Sequence, residues 1–196
     1  MIEDYLQSVS TYVTIRIGEN YYPILTYGVG LNQIDLLDNS AITIFENSQF
    51  EAFLKSTIEP QLASLADSDI FEYGQKNSCT FILEEQFKKN DHVACAWLSQ
   101  FYSTNLTNSK VIHLIAHSLE ATTIQRIDQL TRPIALAMLS YNDIQIKEYG
   151  VKIIEKSVTT ENLETLKSIA TETEWLNDYI GRVIHDFEKE LNVCQF

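Results

Sequence analysis

Alternating aliphatic and polar residues near the N-terminus predict a β-hairpin. The aliphatic residues that share one face of the first strand are Val13, Ile15 and Ile17. Residues 18–20 have the composition of a turn, and a second β-prone run covers residues 21–27. Pro23 favours an edge position for that run, because proline donates no amide hydrogen bond. Ala41–Phe45 is a candidate third strand of a small antiparallel sheet.

An amphipathic helix is expected to follow. Its start is predicted at Ser48, where the S-x-x-E pattern that ends at Glu51 supplies acceptors for the free amides of a first turn. We expect Pro60 to kink or end this helix, because proline cannot donate to the helical hydrogen-bond ladder.

From about residue 78 onward the apolar residues recur with helical spacing. The predicted helices lie near 78–89, 91–103, 108–120, 122–130, 133–141, 143–157, 160–170 and 172–192. The last of them carries an apolar stripe that requires burial. The members of that stripe are Trp175, Leu176, Tyr179, Ile180, Val183, Ile184, Phe187 and Leu191.

Residues 143–154 resemble the inner helix of a HEAT-type repeat, in which an Asp is followed by an aliphatic, a basic and a small residue. The residues that carry the resemblance are Asp143, Ile146, Lys147 and Gly150. Pro133 would open the outer helix, where its missing amide is tolerated. The resemblance covers residues 133–157 only and implies a HEAT-like helical stack. An irregular helical bundle is the alternative, because no second copy of equal quality follows at the expected period.

These patterns predict an α+β fold that is predominantly α. An N-terminal β-hairpin or small antiparallel sheet would be followed by a multi-helix bundle or a HEAT-like stack. In domain terms, residues 1–75 form a strongly acidic hairpin-plus-helix region and residues 76–196 an all-helical region, within one compact unit.

The sequence also predicts the cellular compartment of the protein. The N-terminus resembles no secretory signal, and no stretch has the continuous apolarity of a bilayer span. The three cysteines, Cys79, Cys95 and Cys194, form no C-x-x-C pair, which is typical of proteins whose thiols stay reduced. We therefore predict a soluble, cytoplasmic protein.

Charge is the unusual feature of the composition. The chain has 27 acidic and 14 basic residues, for a net charge of −13. Residues 1–75 hold eleven of the carboxylates against only Arg16 and Lys55. This distribution disfavours binding to nucleic acid or to a membrane and favours attraction to a basic surface. Solubility alone is the alternative explanation of the excess.

Two histidines have the spacing of a zinc metalloprotease motif. His113 and His117 share one helix face, but Leu114 stands where the motif has the glutamate that activates the metal-bound water. We interpret them as two half-buried helix histidines without a metal. His92 and Cys95 also have a spacing compatible with zinc, but nothing in the pattern requires it.

Other cofactor motifs are incomplete. The Gly-Val-Gly run at 28–30 lacks the third glycine of a dinucleotide loop, because Gln33 occupies its place. The run 67–69 begins like a calcium loop, yet Phe71 and Glu72 replace an oxygen ligand and the required glycine. No phosphate loop and no nucleophile elbow occurs. The sequence therefore predicts no cofactor.

The favoured interpretation is a non-enzymatic acidic protein that recognises a basic protein partner. The predicted class of protein is a bacterial immunity protein or antitoxin-like inhibitor that neutralises a toxin or nuclease. The alternatives are a helical scaffold or adaptor in a larger assembly, and an enzyme whose active site is assembled from distant residues. The predicted partner-binding carboxylates are Asp35, Asp38, Glu59, Asp67, Asp69 and Glu72.

Overall fold

A computed structural model describes residues 10–17, 20–27, 39–68, 74–124 and 127–193. The chain divides into two compact units, residues 1–46 and 47–196. In the first unit, strand β1 (Ser10–Ile17) pairs with strand β2 (Asn20–Tyr27) in an antiparallel, two-stranded ribbon.

The predicted α+β fold class is wrong. The body of the protein is an all-helical bundle, and the described residues of the second unit contain no strand. The two short strands form a two-stranded ribbon in the first unit, and no described strand belongs to the helical bundle. The candidate third strand at residues 41–45 is also wrong, since this run lies inside a helix. A five-residue alternation is too short to override the helical preference of its flanks.

The described helices follow one another with short connections. They are α1 (Asn39–Phe53), a π-helical segment (Leu54–Ile58), α2 (Glu59–Ser68), α3 (Ser78–Lys89), α4 (Asp91–Thr104), α5 (Ser109–Ala121), α6 (Ile127–Leu139), α7 (Ile144–Glu155), α8 (Thr160–Lys167) and α9 (Glu174–Val193). Among them, none combines the length and the apolar character that crossing a membrane requires.

Pro60 widens its helix instead of ending it. The amide of Glu59 donates to the carbonyl of Leu54, five residues back, which is the hydrogen bond of a π turn. The wider turn relieves the crowding that a proline ring imposes on the preceding carbonyls. It also directs Leu54 and Ile58 into the core. The predicted start at Ser48 is too late, because α1 begins at Asn39.

Helix α5 lies at the centre of the bundle and contacts α2, α3, α4, α6 and α7. Its buried residues are Val111, Ile112, Leu114, Ile115, Ala116, His117, Ser118 and Leu119. A helix that is buried on nearly every side has to be enclosed by its neighbours. The polar groups of α5 therefore need partners from within the protein.

The polar end of α5 is held by a buried network. Glu84 of α3 accepts hydrogen bonds from Lys76 Nζ at 2.6 Å, from the Thr123 amide at 3.0 Å and from Thr122 Oγ1 at 3.1 Å. Burial alone would raise the pKa of Glu84, but these hydrogen bonds outweigh it and hold the pKa below its ordinary value. Lys156 donates to the carbonyls of Leu119, Glu120 and Thr122, as a cation at a helix C-terminus should.

Helices α6 and α7 form the most extensive helix pair. They approach closely at Gly150, where a Cβ would lie 3.0 Å from the Ala135 carbonyl oxygen and 3.1 Å from Met138 Cβ. Pro133 does not open a helix as predicted. It lies inside α6 on the exposed face, so one helix replaces the two predicted at 122–130 and 133–141.

Helix α9 buries a narrow seam made of Leu176, Ile180, Val183 and Phe187. The predicted stripe is too wide, because Trp175 lies outside the seam and is 48% exposed. Successive residues on a helix point roughly 100° apart, and the main contacts of α9 with other described elements are those with α7 and α8. Among the described residues, the side of α9 opposite this seam is largely exposed.

The close approach at Gly150 generates a first prediction. Gly150→Ala should lower the free energy of unfolding by about 1–3 kcal/mol, because the added methyl group meets a backbone carbonyl that cannot move aside. Gly181→Ala is the matched control in α9, where a Cβ meets nothing within 4 Å. It should stabilise the protein by about 0.5–1 kcal/mol. Urea unfolding of both variants measures the difference, and equal effects would contradict the packing described.

The Glu84 network generates a second prediction. Glu84→Gln should cost about 1–3 kcal/mol at pH 7, because it removes the charge that holds Lys76. A carboxyl with a depressed pKa stabilises the fold above the ordinary pKa and loses that contribution as the pH falls. The difference in the free energy of unfolding between the variant and the unaltered protein should therefore shrink below a pH of about 4.

Glu85→Gln is the control for this experiment. Glu85 is exposed and forms an ordinary i, i+4 ion pair with Lys89 at 2.7 Å, so its replacement should cost less than about 1 kcal/mol. Urea unfolding at pH 7 and at acidic pH compares the two variants. A Glu84→Gln deficit that equals the control, or that does not change with pH, would show that the network does not clamp α5.

Candidate partner-binding surface

The six carboxylates predicted to contact a partner are only partly described. Asp35, Asp38, Asp69 and Glu72 lie outside the described residues. Glu59 and Asp67 both lie on α2.

The two described carboxylates have different environments. Glu59 accepts a hydrogen bond from Nε1 of Trp97 at 2.8 Å, so this carboxylate supports a buried side chain. Asp67 forms an ion pair with Lys110 at 2.6 Å while its side chain remains 71% exposed. A surface ion pair of this kind contributes little stability. Asp67 thus remains available to a partner, whereas Glu59 has a structural role.

His113 connects α5 to the start of α7. Its Nε2 lies 3.2 Å from Oδ2 of Asp143, and the other oxygen of Asp143 accepts the amides of Gln145 and Ile146 as the N-cap of α7. Burial alone would raise the pKa of Asp143, but the hydrogen bonds from those amides and from His113 hold the pKa below its ordinary value.

His117 has a separate, fully buried environment. Its Nδ1 lies 3.3 Å from Nδ2 of Asn77, and its ring makes an edge-on contact with Tyr149. The expectation of two half-buried histidines is therefore wrong for His117, which is 1% exposed. Each histidine has its own partners, and the described residues contain no group of three side chains arranged to hold a metal ion.

A cleft of about 280 Å³ lies beside His113. Its lining includes Ser109, Gln145 and Tyr149, and Ser109 precedes His113 by one helical turn. Nucleophilic catalysis requires a hydrogen bond between nucleophile and base. No such bond joins Ser109 to His113 in the described structure, whereas His113 does bond to Asp143. The geometry therefore supports a role for His113 in joining two helices.

The open side of α9 carries a concentration of negative charge. The segment from 172 to 190 contains carboxylates without an ion-pair or hydrogen-bond partner in the described part of the chain. These are Glu172, Glu174, Asp178, Asp186 and Glu190, which together we name the α9 acidic face. Arg182 and Lys189 are the basic residues of the same segment.

Elsewhere in the bundle the cations are largely engaged. Lysines pair with carboxylates at 2.6–2.7 Å in Lys55–Glu51, Lys76–Glu84, Lys89–Glu85 and Lys110–Asp67. Arg132 binds Glu161, Asn162 and Thr165. The α9 acidic face is net negative because its five unpaired carboxylates outnumber Arg182 and Lys189, the basic residues of the same segment.

Trp175 lies within the α9 acidic face. Asp178 and Tyr179 follow it at the i+3 and i+4 positions, which are its neighbours on a helix surface. Tyr179 is already covered, because the guanidinium of Arg182 lies 5.8 Å from the centre of its ring. The described residues place neither a cation nor another ring over Trp175, so its exposed surface adjoins a carboxylate.

Further carboxylates surround the hydroxyl end of Tyr179. This hydroxyl donates to Glu155, and burial, that hydrogen bond and the charges of Glu155, Glu148 and Glu120 raise the pKa of Tyr179. Burial and the charge of Glu120 likewise raise the pKa of Glu148, even though Lys152 lies 2.6 Å away. Oε2 of Glu120 is buried without a hydrogen-bond partner in the described structure. These carboxylates lie on α7 and α5, where Lys152 and Lys156 offset part of their charge.

The sequence contains little signal for this surface. The sequence predicts contacts at residues 35–72, in the acidic first third of the chain, and the carboxylates of α9 are typical of any solvated helix face. The useful signal is the position of Trp175, one residue before the seam that begins at Leu176. The grouping of Glu120 with Glu148 and Glu155 depends on the packing of separate helices and has no local signature.

Comparison with family models, with curated proteins and with solved structures finds no match. The immunity-protein and HEAT-type interpretations gain no support from these comparisons.

Proposed function

We propose that this chain is a non-enzymatic acidic protein that binds a basic protein partner. The observation that carries this proposal is the α9 acidic face, where carboxylates remain unpaired although many cations elsewhere are engaged. A net charge of −13 raises the encounter rate with a cationic protein and orients it before contact.

The partner class follows from the same electrostatics. Toxins and nucleases that act on nucleic acid present basic surfaces to the phosphate backbone. An acidic inhibitor competes for such a surface, as an immunity protein or antitoxin-like inhibitor would. Asp67 is the described member of the first predicted set that is exposed enough to contribute, and Asp35, Asp38, Asp69 and Glu72 remain predicted contacts.

A helical scaffold is the second candidate. Two adjoining clefts of about 290 and 440 Å³ share Asp128 and Ile153 and run along α6 beside α7. Their combined lining contains aliphatic residues together with polar and charged ones, which suits an extended segment of another protein.

The test of the proposed function begins with affinity capture from the native organism. Three baits are compared: the unaltered protein, the α9 variant Glu172→Gln/Glu174→Gln/Asp178→Asn, and a control variant, Glu51→Gln/Glu85→Gln/Glu164→Gln. The control removes the same charge from exposed i, i+3 or i, i+4 pairs. Titration calorimetry then measures the affinity of the captured protein at 50 and 200 mM salt.

We expect the captured partner to be basic and its binding to weaken as salt rises, because the screening length of exposed charges falls from roughly 14 Å at 50 mM to roughly 7 Å at 200 mM. The α9 variant should associate roughly tenfold more slowly or worse, and the control should keep most of the rate. An acidic partner, or binding that is indifferent to salt, would refute the proposed function. If both variants lost the same fraction of the association rate, the result would instead indicate that the binding site is not on α9.

A further inference from the structure

Trp175 is exposed where the fold does not need it. The core seam of α9 is complete without it, and 48% of its surface is open to solvent. Tryptophan is enriched among the residues that dominate interface energies, because its large, rigid surface is ordered at little entropic cost. Because unpaired carboxylates lie around it, Trp175 is a candidate contact for a positively charged group of a partner.

The residues around Trp175 favour a cation as the partner group that it contacts. The face of an indole ring attracts a cation within about 6 Å, more strongly than tyrosine or phenylalanine does. Asp178, one turn away on the same side of α9, supplies a carboxylate to the same cation. The adjacent Tyr179 already holds Arg182 in this manner. An arginine fits best, because a planar guanidinium can stack on a ring and pair with a carboxylate at once.

The same charges argue against self-association. A second copy of the chain would bring another α9 acidic face against this one, and like charges across an interface are unfavourable. An uncharged apolar partner would bury Asp178 and Glu174 without a counter-charge, which is costly. A basic surface is the occupant that satisfies both the ring and the carboxylates.

We propose that Trp175 anchors the interface by stacking on an arginine side chain of the basic partner, with Asp178 pairing to its guanidinium. This inference rests on the proposed function and adds the contact through which it acts.

Tryptophan fluorescence tests the anchor directly. The chain has two tryptophans, of which Trp97 is 2% exposed and Trp175 is 48% exposed. Quenching by acrylamide therefore reports on Trp175. The probes are a short peptide of alternating arginine and glycine and the same peptide with citrulline, which keeps the shape of arginine without its charge. Trp175→Phe assigns the signal, and Asp178→Asn tests the carboxylate.

We expect the arginine peptide to protect the emission of Trp175 from the quencher, and the citrulline peptide to leave it accessible. Asp178→Asn and added salt should both reduce the protection, whereas the control Glu51→Gln should not. Against the captured partner, Trp175→Ala should weaken binding by about tenfold or more.

Other results would overturn the anchor. Equal protection by the citrulline peptide would show an apolar contact, and protection that grows with protein concentration alone would show a second copy. Arginine-peptide binding detected by calorimetry without protection of Trp175 would reject the anchor and leave the acidic binding role intact. Absence of binding by either method also rejects the anchor, while capture of a basic partner separately decides the proposed function.

Discussion

The burial of helix α5 is the constraint on which the rest of the structure depends. Nearly every residue from Val111 to Leu119 is enclosed, so neighbouring helices have to surround α5 and satisfy its polar groups. Asn77 meets that need at the start of α3, where its side chain caps the helix and also bonds to His117 and Ser118. Lys156, the C-cap residue of α7, donates to the last carbonyls at the C-terminal end of α5. The histidines that resembled a metal motif are thus part of how a buried helix is accommodated.

A bundle organised around α5 leaves its peripheral helices covered on one side only. Helix α9 packs through a narrow seam against α7 and α8, and within the described part of the chain the residues on its other side are largely exposed. Negative charge is costly to bury but inexpensive at such a position. The combination of an exposed tryptophan with unpaired carboxylates is therefore compatible with folding and available for binding. Stability and the proposed function depend on opposite faces of the same helix.

Local patterns predicted the helices well where caps and stripes are strong. The helix expected near 78–89 corresponds to α3, whose cap is formed by Asn77. The predictions failed where tertiary context decides. An alternating run at 41–45 became helical, Pro133 was accommodated on the exposed face of α6, and Trp175 was left outside the core. The charge excess directed the sequence prediction to carboxylates, whereas only the packing of α5, α7 and α9 brings Glu120, Glu148 and Glu155 together.

The central claim is that the α9 acidic face meets the basic partner. Zero-length carbodiimide cross-linking tests it most directly, because this reagent joins carboxylates to lysines that already form ion pairs. Mass spectrometry of the cross-linked complex should find Glu172, Glu174 or Asp178 joined to lysines of the partner. Cross-links confined to other helices, with those three carboxylates unmodified by the partner, would contradict the account.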